Sequence, residues 1–232
     1  MGTGIFITGT DTGVGKTFFA CALAVLLKSA GYKIGVMKPA ETGCVEKDGK
    51  LFPEDGWRLK SASGCAEPIE IICPYLFPEP LAPSVAAERA GVKIDVDHLL
   101  TVYREISAKH DITLVEGAGG LMVPLVPSFT FADYARVAKL PLIVVAANKL
   151  GVINHLLLTL EHASCRGLRM VGYVLNRATH EASLAAETNR EVIAGMTGVP
   201  CLGEIPFVSQ GDGQELLETE LDLRLIDWVL QR

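Results

Sequence analysis

Apolar residues along this chain fall into two kinds of run. Short, nearly unbroken runs have the length of strands: GIFIT (4–8), KIGVMK (33–38), IEIIC (69–73), ITLVEG (112–117), PLIVVAAN (141–148), MVGYVLN (170–176) and PCLGEIP (200–206). Between them lie longer segments whose apolar positions return every three or four residues, as a helix with one buried face requires. VDHLLTVYREISAKH (96–110) shows the spacing, with apolar residues at 96, 99, 100, 102, 103 and 106. Segments of the same kind predict helices over 18–31, 57–63, 130–139, 153–166, 181–196 and 216–230.

The strand runs are continuous rather than alternating, and PLIVVAAN most clearly reads as a central parallel strand covered on both faces. Strands that alternate with helices imply an α/β fold, a mostly parallel sheet of about seven strands with right-handed crossover helices on both sides. No repeat or low-complexity linker divides the chain, so 1–232 reads as one domain. The pattern is interrupted twice. AETGCVEKDGKLFPEDG (40–56) is too long for an ordinary connection, and PYLFPEPLAP (74–83), with four prolines in ten residues, predicts an extended loop.

Ligands of such sheets bind beyond the carboxyl ends of the strands, and the polar candidates fall there. The first strand runs through GTDTGVGKT (9–17) into a helix, which brings free backbone N–H groups to a helix N-terminus suited to an anion. Gly13, Val14 and Gly15 let the backbone approach a phosphate. Lys16 supplies charge near the terminal phosphates, and Thr17 a hydroxyl for Mg²⁺. This is the signature of a P-loop NTPase-like fold, with one departure: the usual spacing puts glycine at position 10, where Thr10 stands and Gly9 comes one residue early. Glu116 ends ITLVEG within VEGAGG, where Gly117, Ala118 and Gly119 leave space for a nucleotide, and a carboxylate beside phosphate suits Mg²⁺. Lys38 ends the second strand and Asn176 the MVGYVLN strand. Lys38 reads equally as a solvated charge or as a cation for a transferring phosphoryl group. Asp55, one of four acids with Glu46, Asp48 and Glu54, reads by itself as surface.

Composition narrows the partners. Of 232 residues, 21% are charged and the net charge is −6, which argues against binding nucleic acid or an anionic membrane without specific contacts. No apolar run has the length of a membrane span, and the first residues enter a strand with no basic leader, so a cytoplasmic location is expected. The six cysteines form no CxxC pair and the five histidines no metal-ligand spacing, which predicts reduced, mostly buried thiols.

The set GTDTGVGKT, KPAETG, VEGAGG, NKLGVINH and GEIP, in this order and spacing, resembles the dethiobiotin synthetase family over nearly the whole chain. The resemblance implies a homodimer with sites at the subunit interface, using ATP, Mg²⁺, CO₂ and 7,8-diaminopelargonic acid. In the family a carbamate forms on the 7-amino group, ATP phosphorylates it, and the 8-amino group closes the ureido ring. Residue by residue, it implies Lys16 and Lys38 as catalytic cations and Thr17, Asp55 and Glu116 as Mg²⁺ ligands. It implies a nucleotide site of Gly13–Thr17, Asp55, Glu116–Gly119, Asn176 and Arg177, with Ile205, Pro206 and Phe207 lining the base. Thr42 is implied as a substrate contact. Gly151, Val152 and Asn154 are implied to receive the substrate carboxylate on the partner subunit's site. Gly13 stands where some members carry Glu, and Glu41 merely flanks the substrate loop. A partitioning-type ATPase switch is the alternative, but such proteins place a lysine where Asp11 stands, and the last segment, LLETELDLRLIDWVLQR, is acidic.

Overall fold

The computed structural model describes residues 2–177 and 184–207. Six of the apolar runs become strands of one parallel sheet: β1 (Thr3–Gly9), β2 (Ile34–Met37), β7 (Ile112–Gly120), β10 (Leu142–Ala147), β11 (Met170–Asn176) and β12 (Cys201–Ile205). Their order is β12-β11-β10-β1-β7-β2, so the chain fills one side of β1 first and then the other. Every pairing in this sheet is parallel. β1, at the centre, is buried from Gly4 to Gly9.

Helices cover both faces. α1 (Lys16–Ser29) and α2 (Glu54–Ser63) close one face, where Phe19, Leu23, Leu27 and Leu59 pack on Ile5, Ile7, Val36 and Leu114. On the other, α5 (Val96–Ala108) and α6 (Phe131–Val137) bring Leu99, Ile106, Phe131 and Tyr134 against Phe6, Met37 and Val115. α7 (Val152–Cys165) and α8 (Leu184–Met196) cover Val144, Tyr173 and Leu175. Burial of this kind gains roughly 25 cal/mol per Å² of apolar surface, and each β-strand contributes side chains to both faces.

The two interruptions have structure of their own. Within 40–56, β3 (Ala40–Thr42) is followed by a hairpin of β4 (Val45–Lys47) and β5 (Lys50–Phe52). Its turn residues Asp48 and Gly49 have φ of 52° and 73°, the Asp-Gly signal of a two-residue hairpin. The strand expected over 69–73 is instead a short helix, α3 (Ile69–Ile72), entered from Pro68. A run this short, with apolar residues at 69, 71, 72 and 73, fits either state, and Ile72 is buried in the core with Leu59 as a helical residue. The central sheet of the described residues therefore has six strands. The proline-rich loop contributes β6 (Tyr75–Phe77), paired in parallel with β3, and α4 (Pro83–Arg89), which begins on Pro83 because a first helical position needs no N–H. A third ribbon pairs β8 (Pro124–Val126) with β9 (Phe129–Thr130). The helix expected over 216–230, and the start of that expected over 181–196, lie outside the described residues. No helix among the described residues is long and apolar enough to cross a membrane, and all six cysteines are free thiols.

Candidate active site

The phosphate loop links β1 to α1 at the centre of the sheet. Gly15 caps α1 at φ 94° with no side-chain hydrogen bond, so the first N–H groups of the helix are not claimed by a cap. A Cβ at Gly15 would meet the Asn176 amide, whose Nδ2 donates to the Val14 carbonyl at 2.8 Å. β11 thus holds the loop from its far side. The displaced glycine also finds its reason. A Cβ at Gly9 would lie 2.7 Å from Val14 Cγ2 and 3.0 Å from the Asp11 carbonyl, so the loop folds back over the strand end at position 9 rather than 10. Lys16 is buried, and its Nζ donates to the Asp11 carbonyl at 3.0 Å. Burial, and then the charge of Lys38, lower its pKa to about 8.

Sheet register assembles the charged centre. Ile7 pairs with Glu116 and Met37 with Val115, so Lys38 and Glu116 leave neighbouring strands at the same level. They are 3% and 1% exposed, and Lys38 Nζ donates to Glu116 Oε1 at 2.5 Å and to Asp55 Oδ2 at 2.8 Å. Thr17 Oγ1 donates to the same Glu116 oxygen at 2.8 Å. Burial works to lower the Lys38 ammonium, but Glu116 and then Asp55 overcome it and raise its pKa well above the ordinary lysine range. Burial likewise works to raise the Asp55 carboxyl, and the Lys38 ammonium outweighs it, holding the group below its usual value. Asp55 is therefore no surface acid: α2 carries it into the centre from one residue inside its first turn.

These groups line a cleft of about 530 Å³ together with Thr12, Gly13, Gly15, Glu41, Thr42, Ala118 and Gly119. Its wall includes groups that sequence reasoning passed over: Arg58 on α2, Val123, and the segment 80–83. The unusual proline density of 74–83 was the available signal. Glu41 was passed over as well. It is buried, and its carboxylate accepts the N–H groups of Asp55 (2.9 Å) and Gly56 (3.0 Å).

Other implied residues lie elsewhere. Gly117 is buried beneath the cleft, where a Cβ would sit 2.9 Å from Phe6 Cζ. Arg177 and Phe207 are exposed beyond the ends of β11 and β12, Ile205 is buried opposite Asn176, and the Arg177 N–H donates to the Ile205 carbonyl at 2.9 Å. Gly151, Val152 and Asn154 do not enter the cleft. Val152 lines a separate cavity of about 250 Å³ between the phosphate loop and Asn148, Lys149 and His155. Gly151 is exposed at the start of α7, and Asn154 faces an outer groove with Leu158 and Met196.

The oxygen set fits a hard divalent cation. Glu116 Oε2 is buried without a hydrogen-bond partner, beside the Thr17 hydroxyl and Asp55. Among the described residues no group of three or more His, Cys, Asp or Glu side chains is placed to hold a metal. Two carboxylates and a hydroxyl suit Mg²⁺ bound largely by phosphate and water rather than by an all-protein cage. A cleft with a phosphate loop, two buried lysines and two acids can hold a nucleoside triphosphate and stabilise charge on a transferring phosphoryl group.

Known proteins resemble this chain in sequence and in fold. Residues 3–215 match the family described as AAA domain. A protein of Anaeromyxobacter sp. (strain K), named ATP-dependent dethiobiotin synthetase BioD, is 45% identical over 88% of this chain and 90% of its own length. A protein of the same name from Thermodesulfovibrio yellowstonii is 37% identical over 95% of each chain. Among solved structures, the septum site-determining protein MinD of Pyrococcus horikoshii, complexed with Mg-ADP, covers 100% of this chain and 97% of its own with a TM-score of 0.61. At 17% identity that likeness is one of fold alone.

Proposed function

The chain belongs to the ATP-dependent dethiobiotin synthetases, and from that premise we propose that it forms dethiobiotin from 7,8-diaminopelargonic acid, CO₂ and ATP as an Mg²⁺-dependent cyclo-ligase. The single observation that carries the residue assignment is the hydrogen-bonded Lys38–Glu116–Asp55–Thr17 cluster beside the phosphate loop.

The 7-amino group attacks CO₂ as the neutral amine and gives a carbamate. A carbamate oxygen attacks the γ-phosphorus, ADP leaves, and the 8-amino group then closes the ring by displacing phosphate. The substrate supplies every nucleophile, so the protein's work is positioning and electrostatics. Carbamate, triphosphate and mixed anhydride are all anionic. Lys16 and the N-terminus of α1 meet the phosphates, and Lys38 meets the carbamate and the charge that develops as the phosphoryl group transfers. Thr17, Asp55 and Glu116 would hold Mg²⁺, which when bound screens phosphate charge. Thr42, on the cleft wall, is placed for the substrate. Asn176 gives one N–H of its amide to the Val14 carbonyl and keeps its own carbonyl oxygen, an acceptor suited to an exocyclic amino group such as that of adenine. We further assign the working form to a cytoplasmic homodimer in which Gly151, Val152 and Asn154 of one chain serve the partner's cleft. What supports that division is that none of the three lines the cleft of its own chain.

A partitioning-type switch is the competing reading, and phosphate release separates the two. Phosphate should be released from ATP and bicarbonate only when the diamine is supplied, with dethiobiotin found by mass spectrometry in equal amount. Diamine-independent hydrolysis without that product would replace the ligase reading by a switch.

A further inference from the structure

We propose that Glu41 is a positioning residue, which sets Asp55 in the cleft by supplying from a neighbouring strand the cap that helix α2 lacks. A helix leaves its first N–H groups unpaired, and an Ncap side chain normally takes those of the second and third helical residues. In α2 the Ncap is Pro53, which makes no side-chain hydrogen bond, and the second and third residues are Asp55 and Gly56. Glu41 takes both, Oε1 from the Asp55 N–H at 2.9 Å and Oε2 from the Gly56 N–H at 3.0 Å.

The consequence is positional. A cap from Pro53 would fix the helix only to its own loop, which is the exposed β4–β5 hairpin. Glu41 instead fixes it to β3, a strand paired with β6 and three residues past Lys38. It is 6% exposed, with the Cys73 thiol 3.8 Å from Oε2, and a Cβ at Gly56 would lie 3.2 Å from Cys73 Cβ. The first turn of α2 is therefore seated closely against this anchor. Asp55 Oδ2 then stands 2.8 Å from Lys38 Nζ, while Thr42, the next residue of β3, lines the same cleft. A carboxylate is suited to this because it offers two acceptors. Glutamine has nearly the same shape but one acceptor, and it turns an NH₂ toward the other N–H.

The inference rests on the reading of Asp55 as a metal ligand, and the test keeps the two apart. Mn²⁺ binding to the ADP-saturated full chain is followed by electron paramagnetic resonance of free Mn²⁺, alongside thermal melting. Asp55→Asn should weaken Mn²⁺ binding, and Glu41→Gln should weaken it by about tenfold, the lower end of what loss of an outer-shell partner costs. The double variant should bind no worse than Asp55→Asn alone, because Glu41 acts through Asp55. Pro53→Ser added to Glu41→Gln supplies an ordinary cap, so it should restore the melting temperature and leave Mn²⁺ binding weak. Recovery of both would make Glu41 merely a cap and overturn the inference. So would Mn²⁺ binding by Glu41→Gln equal to wild type, with Asp55→Asn impaired. If Asp55→Asn binds Mn²⁺ normally, the metal reading itself fails. Should Glu41→Gln not fold, the variant with Pro53→Ser carries the comparison, and failure of both to fold makes Glu41 structural and overturns the positioning role.

Discussion

Lys16 and Lys38 are both buried lysines of one cleft, and burial lowers the pKa of each, yet it prevails only at Lys16. Lys38 has two carboxylates at 2.5 and 2.8 Å and keeps its proton. Lys16 has only a carbonyl partner, and burial with the charge of Lys38 brings its pKa down to about 8. A phosphate arriving beside Lys16 raises that value again, so above pH 8 nucleotide binding must take up a proton. The sign follows: affinity for ATP is flat below the free-state pKa and falls as pH rises through it. Proton uptake by this group should be substantial at pH 8.5 and almost absent at pH 6.5. Calorimetry in two buffers of different ionisation enthalpy measures it, with Lys16→Met as the control that abolishes the uptake. Binding at pH 8.5 with no buffer dependence would show that Lys16 is already charged in the free protein.

At the scale of elements, the cleft is made where the ends of β1, β2 and β7 meet helices α1 and α2, and its loop is braced by β11, a strand on the other side of β1. Asn176 closes β11 and reaches the Val14 carbonyl, spanning 162 residues of chain. Asn176→Asp keeps the volume but removes the donor, leaving two oxygens face to face in a buried place. The expected cost is about 1–3 kcal/mol of stability, with weaker nucleotide binding because the loop loses its brace. Chemical denaturation and ADP titration measure the two effects. A variant of full stability that loses only adenine discrimination would make Asn176 a base contact without a bracing role.

The whole molecule raises the question of where a long substrate ends. Its reacting amines and its carboxylate are far apart, and Gly151, Val152 and Asn154 at the start of α7 do not line the cleft of their own chain. A two-fold dimer answers this if α7 of one chain completes the site of the other. Lys38→Ala disables the chemistry of a site, and Asn154→Glu sets a like charge against the substrate carboxylate. Asn154 serves better than Gly151 here, since Gly151 has φ 95° and any side chain there is strained. Each variant alone should be nearly inactive. An equimolar mixture with exchanging subunits gives half mixed dimers with one intact site each, and activity of about a quarter of wild type. No recovery after demonstrated exchange would assign each site to a single chain.

The unbroken apolar runs, the Gly-Lys-Thr loop and the acids and lysines at strand ends were legible because each follows from a local rule: run length, periodicity, or the chemistry of a helix N-terminus. Those rules fixed the parallel sheet, the placement of Lys16, Thr17, Lys38 and Glu116, and, with the family motifs, the reaction. They gave no means to separate Asp55 from Glu46, Asp48 and Glu54, since four acids in a loop look alike until one is carried to a lysine by a helix. They also made 69–73 a strand, because four apolar residues have no period long enough to choose. What folding alone settled is which distant groups meet. Glu41 caps a helix that begins 13 residues later, and Asn176 braces a loop 162 residues away. Contacts between remote segments depend on register and packing across the sheet, and no short stretch of sequence carries that information.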